Sequence, residues 1–406
     1  MGKALELLGG TNNLPEITGR LCPAPCEYSC VLGINDDPVS IRENELDIIE
    51  YGFMHGLIKA MPPLKRTGKK VAVIGSGPAG LSCAAQINKA GHSVVVFERD
   101  DKIGGILRYG IPDFKLEKWV LDRRIKLLRQ EGIDLMTDVN VGADYSAQKL
   151  LRDFDAVCLT GGSRFPRDLE IEGRDLEGIY FAMDYLTQAN RRAAGENITG
   201  NKLIDAKGKN VVVIGGGDTG ADCVGTAHRQ GAKCVVQIEV LPEPPGCRTE
   251  DCPWPKYPIL LKTSTSHEEG GERHWSVLTK KFTGKNGKIA KLSCARAEFV
   301  KQGGAVCPAM KEVPGSEFEI DADMAVLAVG FVSPEHNGLL SELGLEFDGR
   351  GNVKTDGRYM TSVKGVFSAG DMRRGQSLIV WAVLEGRMAA RAVDIYLMGN
   401  SDLPNM

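Results

Sequence analysis

The sequence predicts an α/β protein that contains the same strand–helix–strand unit twice, behind a short, mainly helical segment with cysteines. The prediction rests on an internal repeat, because residues 70–98 (KVAVIGSGPAGLSCAAQINKAGHSVVVFE) align without a gap with residues 210–238 (NVVVIGGGDTGADCVGTAHRQGAKCVVQI). The strands of both copies are continuously apolar, which is typical of parallel sheets covered on both faces. Glycines follow the first strand of each copy, so two nested Rossmann-like dinucleotide folds are expected.

Length and composition set the broad class. A chain of 406 residues with 42% hydrophobic residues is long enough for two or three domains. The net charge is −3, with 50 basic and 53 acidic residues well mixed, which argues against nucleic acid or anionic membrane as partners. Residues 1–10 lack the pattern of a secretory signal, and the apolar run 378–384 is too short to span a bilayer. We therefore expect a soluble, cytoplasmic protein.

The order of motifs along the chain predicts four segments. Three cysteines and a predicted helix over 43–60 come first, and a linker with two adjacent prolines follows. Two strands that end in small residues, 156–162 and 324–330, are expected to mark crossings between domains. The second dinucleotide fold would then be inserted into the first. The predicted segments are a partial iron–sulfur segment 1–68, a first-domain part 69–199, a second domain 200–322 and a returning part 323–406.

The first glycine turn has the context that a nucleotide-binding turn requires. It follows an apolar strand and opens a helix, so that free N–H groups and the helix dipole can face a pyrophosphate. Glu98 ends the next strand, where its carboxylate can bind an adenosine ribose hydroxyl. The candidate ligands of the turn itself are Gly75, Gly77, Pro78, Ala79 and Gly80.

The second copy differs at the end of its second strand. The ungapped alignment puts Ile238 opposite Glu98, and Glu239 comes one residue later, where strand parity turns it to the other face. Glu239 is therefore expected to be an impaired ribose ligand, and the absence of a following arginine pair slightly favours NADH over NADPH. The candidate ligands of this turn are Gly215, Gly217, Asp218, Thr219 and Gly220.

Two further segments fit a flavin in the first fold. The glycine-rich segment 104–112 (GGILRYGIP) offers backbone around Gly105 and Leu107. Segment 365–390 reads as a strand, then Gly370–Asp371, then a helix that begins near Gln376 and Ser377. Asp371 can accept hydrogen bonds from a ribityl chain, with an ordinary helix cap as the alternative, and the helix N-terminus can stabilise a reduced flavin. Hydride transfer between nicotinamide and FAD needs positioning, so no catalytic side chain is predicted.

The eleven cysteines are an odd number, and most of them lie singly in helix or strand patterns. Cys22, Cys26 and Cys30 are the candidate metal ligands, although a cubane cluster needs four ligands. Six further cysteines are expected to have no redox or metal-binding role, and two histidines are expected to be polar surface residues. These are Cys83, Cys158, Cys223, Cys234, Cys247 and Cys252, with His267 and His274.

The chain resembles the small (beta) subunit of glutamate synthase and the equivalent region of single-chain glutamate synthases. The electron-input half of dihydropyrimidine dehydrogenase shares the predicted architecture. The segments that carry the resemblance are TNNLPEITGRLCPAPCEYSCVLGI (11–34), GSGPAG, GGILRYGIP, GGGDTG, QIEVLPEPP (237–245) and SAGDMRRGQSLIVWAVLEGR (368–387).

The resemblance implies that NAD(P)H reduces FAD, which passes single electrons through [4Fe–4S] clusters to FMN on a large partner subunit. There, ammonia from glutamine and 2-oxoglutarate would form glutamate. The alternatives are an input module for another acceptor, such as ferredoxin or a quinone, and a non-catalytic nucleotide-binding regulatory subunit.

The cysteine segment departs from the family pattern, because Thr18 stands where some members have a further cysteine. Family members normally carry an additional cysteine group in an N-terminal half of the iron–sulfur domain, which is absent from this sequence. Three interpretations remain. A partner chain supplies that half, the chain is a degenerate or truncated form without clusters, or one cluster has a fourth ligand other than cysteine. The isolated chain is expected to contain FAD and little iron, and its cysteine half-domain is expected to be loosely folded.

Overall fold

The computed structural model of the protein describes residues 1–300 and 309–405. The chain divides into two compact units, and the second is inserted into the first, as expected for nested folds. The first unit consists of Met1–Arg108, Asp113–Phe165 and Phe331–Met406. The second unit consists of Tyr109–Pro112 and Pro166–Gly330.

The N-terminal segment of the first unit is helical. Its elements are α1 (Gly2–Thr11), α2 (Pro15–Leu21), α3 (Pro25–Tyr28), a 3₁₀ turn (Val31–Ile34) and α4 (Ile41–Met54). Pro15 and Pro25 each begin a helix, where the missing N–H of proline costs nothing. Helix α4 ends well before the predicted residue 60, because the Leu57 N–H turns back to the Gly52 carbonyl at 2.8 Å and closes the last turn.

The first repeat and the segment after it build a parallel sheet in the first unit. The elements in chain order are β1 (Lys70–Ile74), α5 (Pro78–Lys89), β2 (Ser93–Phe97), α6 (Ile106–Tyr109), α7 (Lys118–Gln130), β3 (Asp134–Met136), α8 (Ala147–Asp153) and β4 (Ala156–Leu159). Strand β1 pairs in parallel with β2 and with β4, and β2 pairs with β3. Strand β4 is buried along its whole length and β1 at its three central residues, as their apolar sequences predict.

The second unit contains a second parallel sheet, with strand order β6-β14-β7-β8-β9, and a four-stranded antiparallel sheet. Its elements are β5 (Phe165–Pro166, at the crossing), β6 (Ile179–Phe181), α9 (Ala182–Ala193), a 3₁₀ turn (Gly200–Lys202), β7 (Asn210–Ile214), α10 (Asp218–Arg229), β8 (Cys234–Ile238), α11 (Thr265–Glu268), β9 (Glu272–His274), β10 (Val277–Lys285), β11 (Lys288–Val300), β12 (Ala309–Glu312), β13 (Phe318–Asp321) and β14 (Met324–Leu327).

The unit boundaries differ from the predicted ones. Strands β6 and β14 were expected in the first fold, but β14 pairs in parallel with β7 and with β6. Helix α9 packs beside them, with Tyr185 and Leu186 buried in the same apolar cluster as Val213. The divisions therefore fall after residues 165 and 330 and not after residues 199 and 322. The physical reason is that β7 needs a parallel neighbour on each side, and β14 is one of them.

The last part of the chain returns to the first unit. Its elements are β15 (Phe331–Ser333), α12 (Leu339–Glu342), β16 (Val366–Ser368), α13 (Asp371–Arg374) and α14 (Ile379–Met398). Strand β16 pairs with β4 and completes the order β16-β4-β1-β2-β3. Helix α14 lies so close to α5 that any side chain at Gly386 would overlap the Ala79 carbonyl oxygen. Within the described part of the chain, no helix combines the length and apolarity needed to cross a membrane.

Candidate functional site

The first glycine turn connects β1 to α5 and leaves open space in front of the helix. Gly75 has a φ of +101°, and a Cβ there would lie 2.7 Å from the Thr160 carbonyl oxygen, so only glycine fits. A side chain at Gly80 would overlap the Gly75 carbonyl oxygen. Gly77 is different, because a Cβ there would meet nothing within 4 Å. The space beside Gly77 and the free N–H groups of α5 are what a pyrophosphate requires.

The strand end beside this turn carries a buried carboxylate. Glu98 is only 4% exposed, and it accepts hydrogen bonds from the backbone N–H groups of Ser76 (3.1 Å) and Asp100 (3.0 Å). The Ser76 hydroxyl contacts the same carboxylate and accepts a bond from the Gly104 N–H at 2.8 Å. Ser76 therefore connects the turn, the strand end and the start of segment 104–112. Sequence reasoning did not single out this serine.

The predicted flavin segments converge on the first turn. A Cβ at Gly105 would lie 3.1 Å from the Gly77 Cα, and Leu107 is fully buried. A Cβ at Gly370 would lie 2.8 Å from the Ala79 Cβ, so the Gly370–Asp371 turn sits against the start of α5. Segments far apart in the chain thus meet around one glycine turn, in the first unit.

The Gly370–Asp371 turn is held from α14. Glu385 is 5% exposed and accepts hydrogen bonds from the Gly370 N–H (2.9 Å) and from the Arg373 guanidinium (2.7 Å). Burial raises the pKa of Asp371 to about 6, and the Ser377 hydroxyl donates to Asp371 at 3.1 Å. Glu385 was not predicted, because an acidic residue inside a helix carries no local signal of a partner more than three turns away.

The helix after this turn begins later than predicted. Helix α14 starts at Ile379, with Leu378 as its N-cap, whereas the sequence suggested a start near Gln376. Gln376 instead accepts a hydrogen bond from the Phe331 N–H at 3.0 Å. The short helix α13 that precedes α14 ends at Arg374, and the following Gly375, with a φ of +82°, interrupts the helical path.

The second glycine turn connects β7 to α10 with the same backbone plan. Gly215 has a φ of +124°, and a side chain there would overlap the Ala328 carbonyl oxygen. Gly220 packs in the same way on the Gly215 carbonyl oxygen, and a Cβ at Gly217 would meet nothing within 4 Å. Gly217 and Asp218 are exposed and Thr219 is partly exposed, so this turn opens to solvent more than the first.

The registers of the two sheets show that the two strand ends are equivalent. In the first unit Ile74 pairs with Phe97, and in the second Ile214 pairs with Ile238. The residues that follow these pairs are Glu98 and Glu239. The prediction that Glu239 faces the other side is therefore wrong.

The error has a local cause in the loop before β8. This loop is one residue longer than its counterpart, since Asn210 pairs with Cys234 whereas Lys70 pairs with Ser93. An ungapped alignment across the loop shifts the strand by one residue and so reverses the face assigned to every side chain.

Glu239 also makes the hydrogen bonds that Glu98 makes. Its carboxylate accepts from the backbone N–H groups of Gly216 (2.6 Å) and Leu241 (3.0 Å). The Glu239 side chain is only partly buried, so it remains open to a ligand.

The three candidate metal ligands lie on the N-terminal segment around α3. The Ala24 N–H donates to the Cys22 sulfur at 3.4 Å, and Ala24 itself has a φ of +52°. Backbone N–H groups of Val39 and Leu32 lower the pKa of Cys30. Among the described residues no group of three metal-type ligands is already assembled, but N–H donors directed at sulfur are the environment that iron–sulfur ligands use.

The charge of a nearby carboxylate acts on two of these cysteines. Burial raises the pKa of Cys22 and of Cys26, and the negative charge of Glu45 raises both further. Burial also raises the pKa of Glu45 itself. Thr18 is turned away from this role, because its hydroxyl bonds to the Leu14 carbonyl (3.3 Å) and accepts from Asn12 (2.8 Å). Glu45 is the carboxylate whose charge acts on both Cys22 and Cys26, which makes it a candidate oxygen ligand that sequence reasoning did not single out.

In the described part of the chain, the remaining cysteines form no disulfide. Cys83, Cys158 and Cys223 are buried, in keeping with a packing role, whereas Cys234 is exposed at the first position of β8. His267 is not the simple surface residue expected, because its Nε2 lies 2.8 Å from the Gln237 side-chain oxygen and its Nδ1 accepts from the Ser264 N–H. His274 pairs with Glu272 at the surface.

Two protein families match successive parts of the chain. Residues 69–386 match the family of pyridine nucleotide-disulphide oxidoreductases. Residues 1–56 match the family described as dihydropyrimidine dehydrogenase domain II, 4Fe-4S cluster. These matches confirm the prediction of a flavoprotein-type NAD(P)H oxidoreductase that carries an N-terminal 4Fe-4S domain.

Similar proteins cover nearly the whole chain. The glutamate synthase (NADPH) small chain of Mycobacterium tuberculosis is 55% identical over 404 residues, which are 99% of this chain and 82% of the relative. The glutamate synthase (NADH) of Schizosaccharomyces pombe is 46% identical over 99% of this chain and 19% of its own length. Mycobacterium tuberculosis FprA in complex with NADPH has the same fold, with a TM-score of 0.65 at 20% identity over 82% of this chain and 85% of that one. The chain therefore belongs to the glutamate synthase small-chain family.

Proposed function

We propose that the protein is the electron-input subunit of a glutamate synthase, in which NAD(P)H reduces an FAD and the electrons leave through an iron–sulfur cluster to a partner. The observation that carries this proposal is the convergence of Gly77, Glu98, Gly105 and Gly370 on one turn, together with a second, separate turn of the same plan at Gly217. One dinucleotide site would need only one of them.

The first unit supplies the residues that hold FAD. The open space at Gly77 takes the pyrophosphate, and the N–H groups at the start of α5 donate to it. Glu98 accepts from the adenosine ribose, and Asp371 accepts from the ribityl chain. FAD, when bound, accepts a hydride and can release its electrons singly. Glu385 fixes the Gly370–Asp371 turn, so the chain contributes position and charge and no proton-transferring side chain.

The second unit supplies the site for the nicotinamide nucleotide. The exposed turn around Gly217 and the N-terminus of α10 suit a substrate that must bind and leave in each cycle. The more enclosed first turn suits a cofactor that stays bound. Because of this difference in exposure, we assign FAD to the first turn and the nicotinamide nucleotide to the second.

The N-terminal helices supply the exit for electrons. Cys22, Cys26 and Cys30 would hold a [4Fe–4S] cluster with Glu45 as the fourth ligand, which is the interpretation with a ligand other than cysteine. The match to a 4Fe-4S domain family favours this over a form without clusters.

Ion pairs join the N-terminal segment to α7, and they argue against the loosely folded half-domain that we expected. Glu16 on α2 accepts two hydrogen bonds from Arg124 on α7, at 2.7 and 2.9 Å, and Glu16 is completely buried. Glu50 on α4 pairs with Arg20 at 2.7 Å and with Arg123. Each of these carboxylates accepts from more than one guanidinium N–H group, so the ion pairs hold α2 and α4 against α7.

The test is a reconstitution in two stages. The purified chain should be yellow, and NAD(P)H should bleach it under anaerobic conditions. Addition of a glutamate synthase large subunit, glutamine and 2-oxoglutarate should then yield one glutamate-forming turnover cycle per NAD(P)H consumed, in excess of controls without the chain. A colourless chain would support the regulatory alternative. Bleaching without glutamate formation, but with rapid reduction of ferredoxin or a quinone, would support the alternative acceptor.

A further inference from the structure

We propose that Glu239 makes the second unit selective for NADH over NADPH. The inference deepens the proposed function, on which it rests, by naming the coenzyme. A carboxylate at this strand end accepts a hydrogen bond from the 2′-hydroxyl of an adenosine ribose. A 2′-phosphate has no such proton to donate, and it brings negative charge against the carboxylate.

The position of Glu239 supports this selectivity. Its hydrogen bonds to Gly216 and Leu241 duplicate those of Glu98 to Ser76 and Asp100, so both carboxylates lie beside the start of a dinucleotide-binding turn. A Cβ at Gly216 would lie 2.8 Å from the Glu239 Oε2, which leaves no room for a side chain between the turn and the carboxylate. A ribose over this turn must therefore face Glu239.

The charges around the end of β8 also favour NADH over NADPH. Residues 240–247 (VLPEPPGC) contain no lysine or arginine. The next cation, Arg248, lies 3.8 Å from the Trp254 ring centre and donates to the Cys252 and Lys256 carbonyls at 2.7 Å. Its guanidinium is thus engaged within its own loop.

The cation on the neighbouring strand is engaged as well. Arg273 lies 4.8 Å from the Trp275 ring centre and donates to the Lys262 carbonyl at 3.1 Å. Two negative groups in contact at a partly exposed site cost enough to change binding at least about tenfold. The names of the relatives do not decide the coenzyme, since the Mycobacterium tuberculosis protein is named for NADPH and the Schizosaccharomyces pombe protein for NADH.

The experiment measures two ratios on the FAD-loaded full chain. The first is the ratio of rate constants for anaerobic flavin reduction by NADH and NADPH at limiting nucleotide. The second is the ratio of dissociation constants for NADP⁺ and NAD⁺, which needs no hydride transfer. We expect both ratios to favour NADH and NAD⁺ by at least about tenfold. In Glu239→Gln both should fall by about tenfold, mainly because the phosphorylated nucleotide improves.

The control is Glu319→Gln, which removes the same charge from β13, where Glu319 pairs with Lys291 on the antiparallel sheet. This variant should keep both wild-type ratios. A wild-type protein that prefers NADPH, or a Glu239→Gln variant indistinguishable from Glu319→Gln, would overturn the inference. If Glu239→Gln failed to fold, the wild-type ratios would still decide. If NAD⁺ bound selectively while neither reduced nucleotide bleached the flavin, the proposed function would fail and the selectivity would stand.

Discussion

The two glycine turns of this molecule share one backbone plan but differ in what covers them. In the first unit Ser76, Pro78 and Ala79 are buried, because the Gly370 turn and helix α14 lie against the start of α5. In the second unit Gly216, Gly217 and Asp218 are exposed. In the proposed function the first turn holds a resident cofactor and the second an exchangeable nucleotide, and the difference between them comes from chain segments outside the shared glycine motif.

The carboxylates at the two strand ends repeat this contrast. Glu98 is enclosed and Glu239 is partly open, although both accept two backbone N–H groups. The burial of Glu98 suits a ligand that stays bound and shields the carboxylate from water. Glu239 is partly exposed, so under our proposal its carboxylate can distinguish NADH from NADPH as either one binds.

The largest expected effect follows from filling the first turn. In Gly77→Val the side chain would occupy the open space that the pyrophosphate needs, without clashing with the protein. We expect the variant to fold but to bind FAD at least about a hundredfold more weakly, because several charge-assisted hydrogen bonds are lost together. The measurement is the flavin absorbance per chain after purification. Gly357→Val, which also meets nothing within 4 Å, is the control and should stay yellow. If Gly77→Val stayed yellow, FAD would not bind at the first turn.

The matching change in the second turn should separate the two sites. Gly217→Val also enters open space, so the variant should retain its FAD and lose about a hundredfold in the rate of reduction by limiting NADH. Dithionite should still bleach it, which shows that the flavin itself is intact. The control is Gly246→Val, at another uncrowded glycine of the second unit. Normal reduction of Gly217→Val by NADH would mean that the nicotinamide nucleotide binds elsewhere.

The N-terminal helices of the first unit have no counterpart among the described residues of the second. The third prediction tests whether these helices bind an iron–sulfur cluster. Cys26→Ser and Glu45→Ala should each lower iron and acid-labile sulfide per FAD, because each removes a ligand in the proposed set. Reduction of FAD by NADH should persist, since no cysteine is needed for it. Cys247→Ser, at an exposed thiol of the second unit, should leave the iron content unchanged. Absence of iron from the wild-type chain after anaerobic purification would favour a cluster-free form.

The parts of this molecule that could be predicted from sequence are local ones. The turns at Gly75 and Gly215 were found because strand, glycines and helix start are adjacent in the chain. The flavin segments at Gly105 and Gly370 were found by their composition and by family resemblance. Each of these features has a signal within a few residues, and the structure brings Gly105 and Gly370 to the first turn as expected.

The parts that escaped prediction depend on partners distant in the chain. The role of Glu239 was misjudged because one extra residue in the loop before β8 is invisible to an ungapped comparison. Strand β14 was assigned to the wrong unit, because the sequence of a buried apolar strand does not indicate which sheet the strand joins. Glu385 and Glu45 act on groups brought to them only by folding.

The smallest expected effect concerns Asp371, which lies in the Gly370–Asp371 turn that packs against the first glycine turn. Burial raises the pKa of this carboxyl to about 6, so the folded apoprotein binds a proton more tightly there than the unfolded chain does. A raised pKa gives stability at low pH that is lost as pH rises through the folded-state value. At pH 7.5 the ionised, partly buried carboxylate therefore destabilises the apoprotein, and Asp371→Asn should raise its melting temperature by a few degrees.

That gain should shrink as pH falls from about 6 towards 4, the window between the folded and the ordinary pKa of Asp371. FAD binding should respond in the opposite sense, because the ribityl hydroxyls donate to a carboxylate. Wild-type affinity should weaken below about pH 6, and Asp371→Asn should bind about tenfold more weakly at pH 7.5. Melting curves of apoprotein and FAD titrations across this range measure both effects, with Asp402→Asn at the exposed C-terminus as the control. If the variant kept full affinity for FAD and lost stability instead, Asp371 would be an ordinary helix cap, and the first turn would hold its cofactor without this carboxylate.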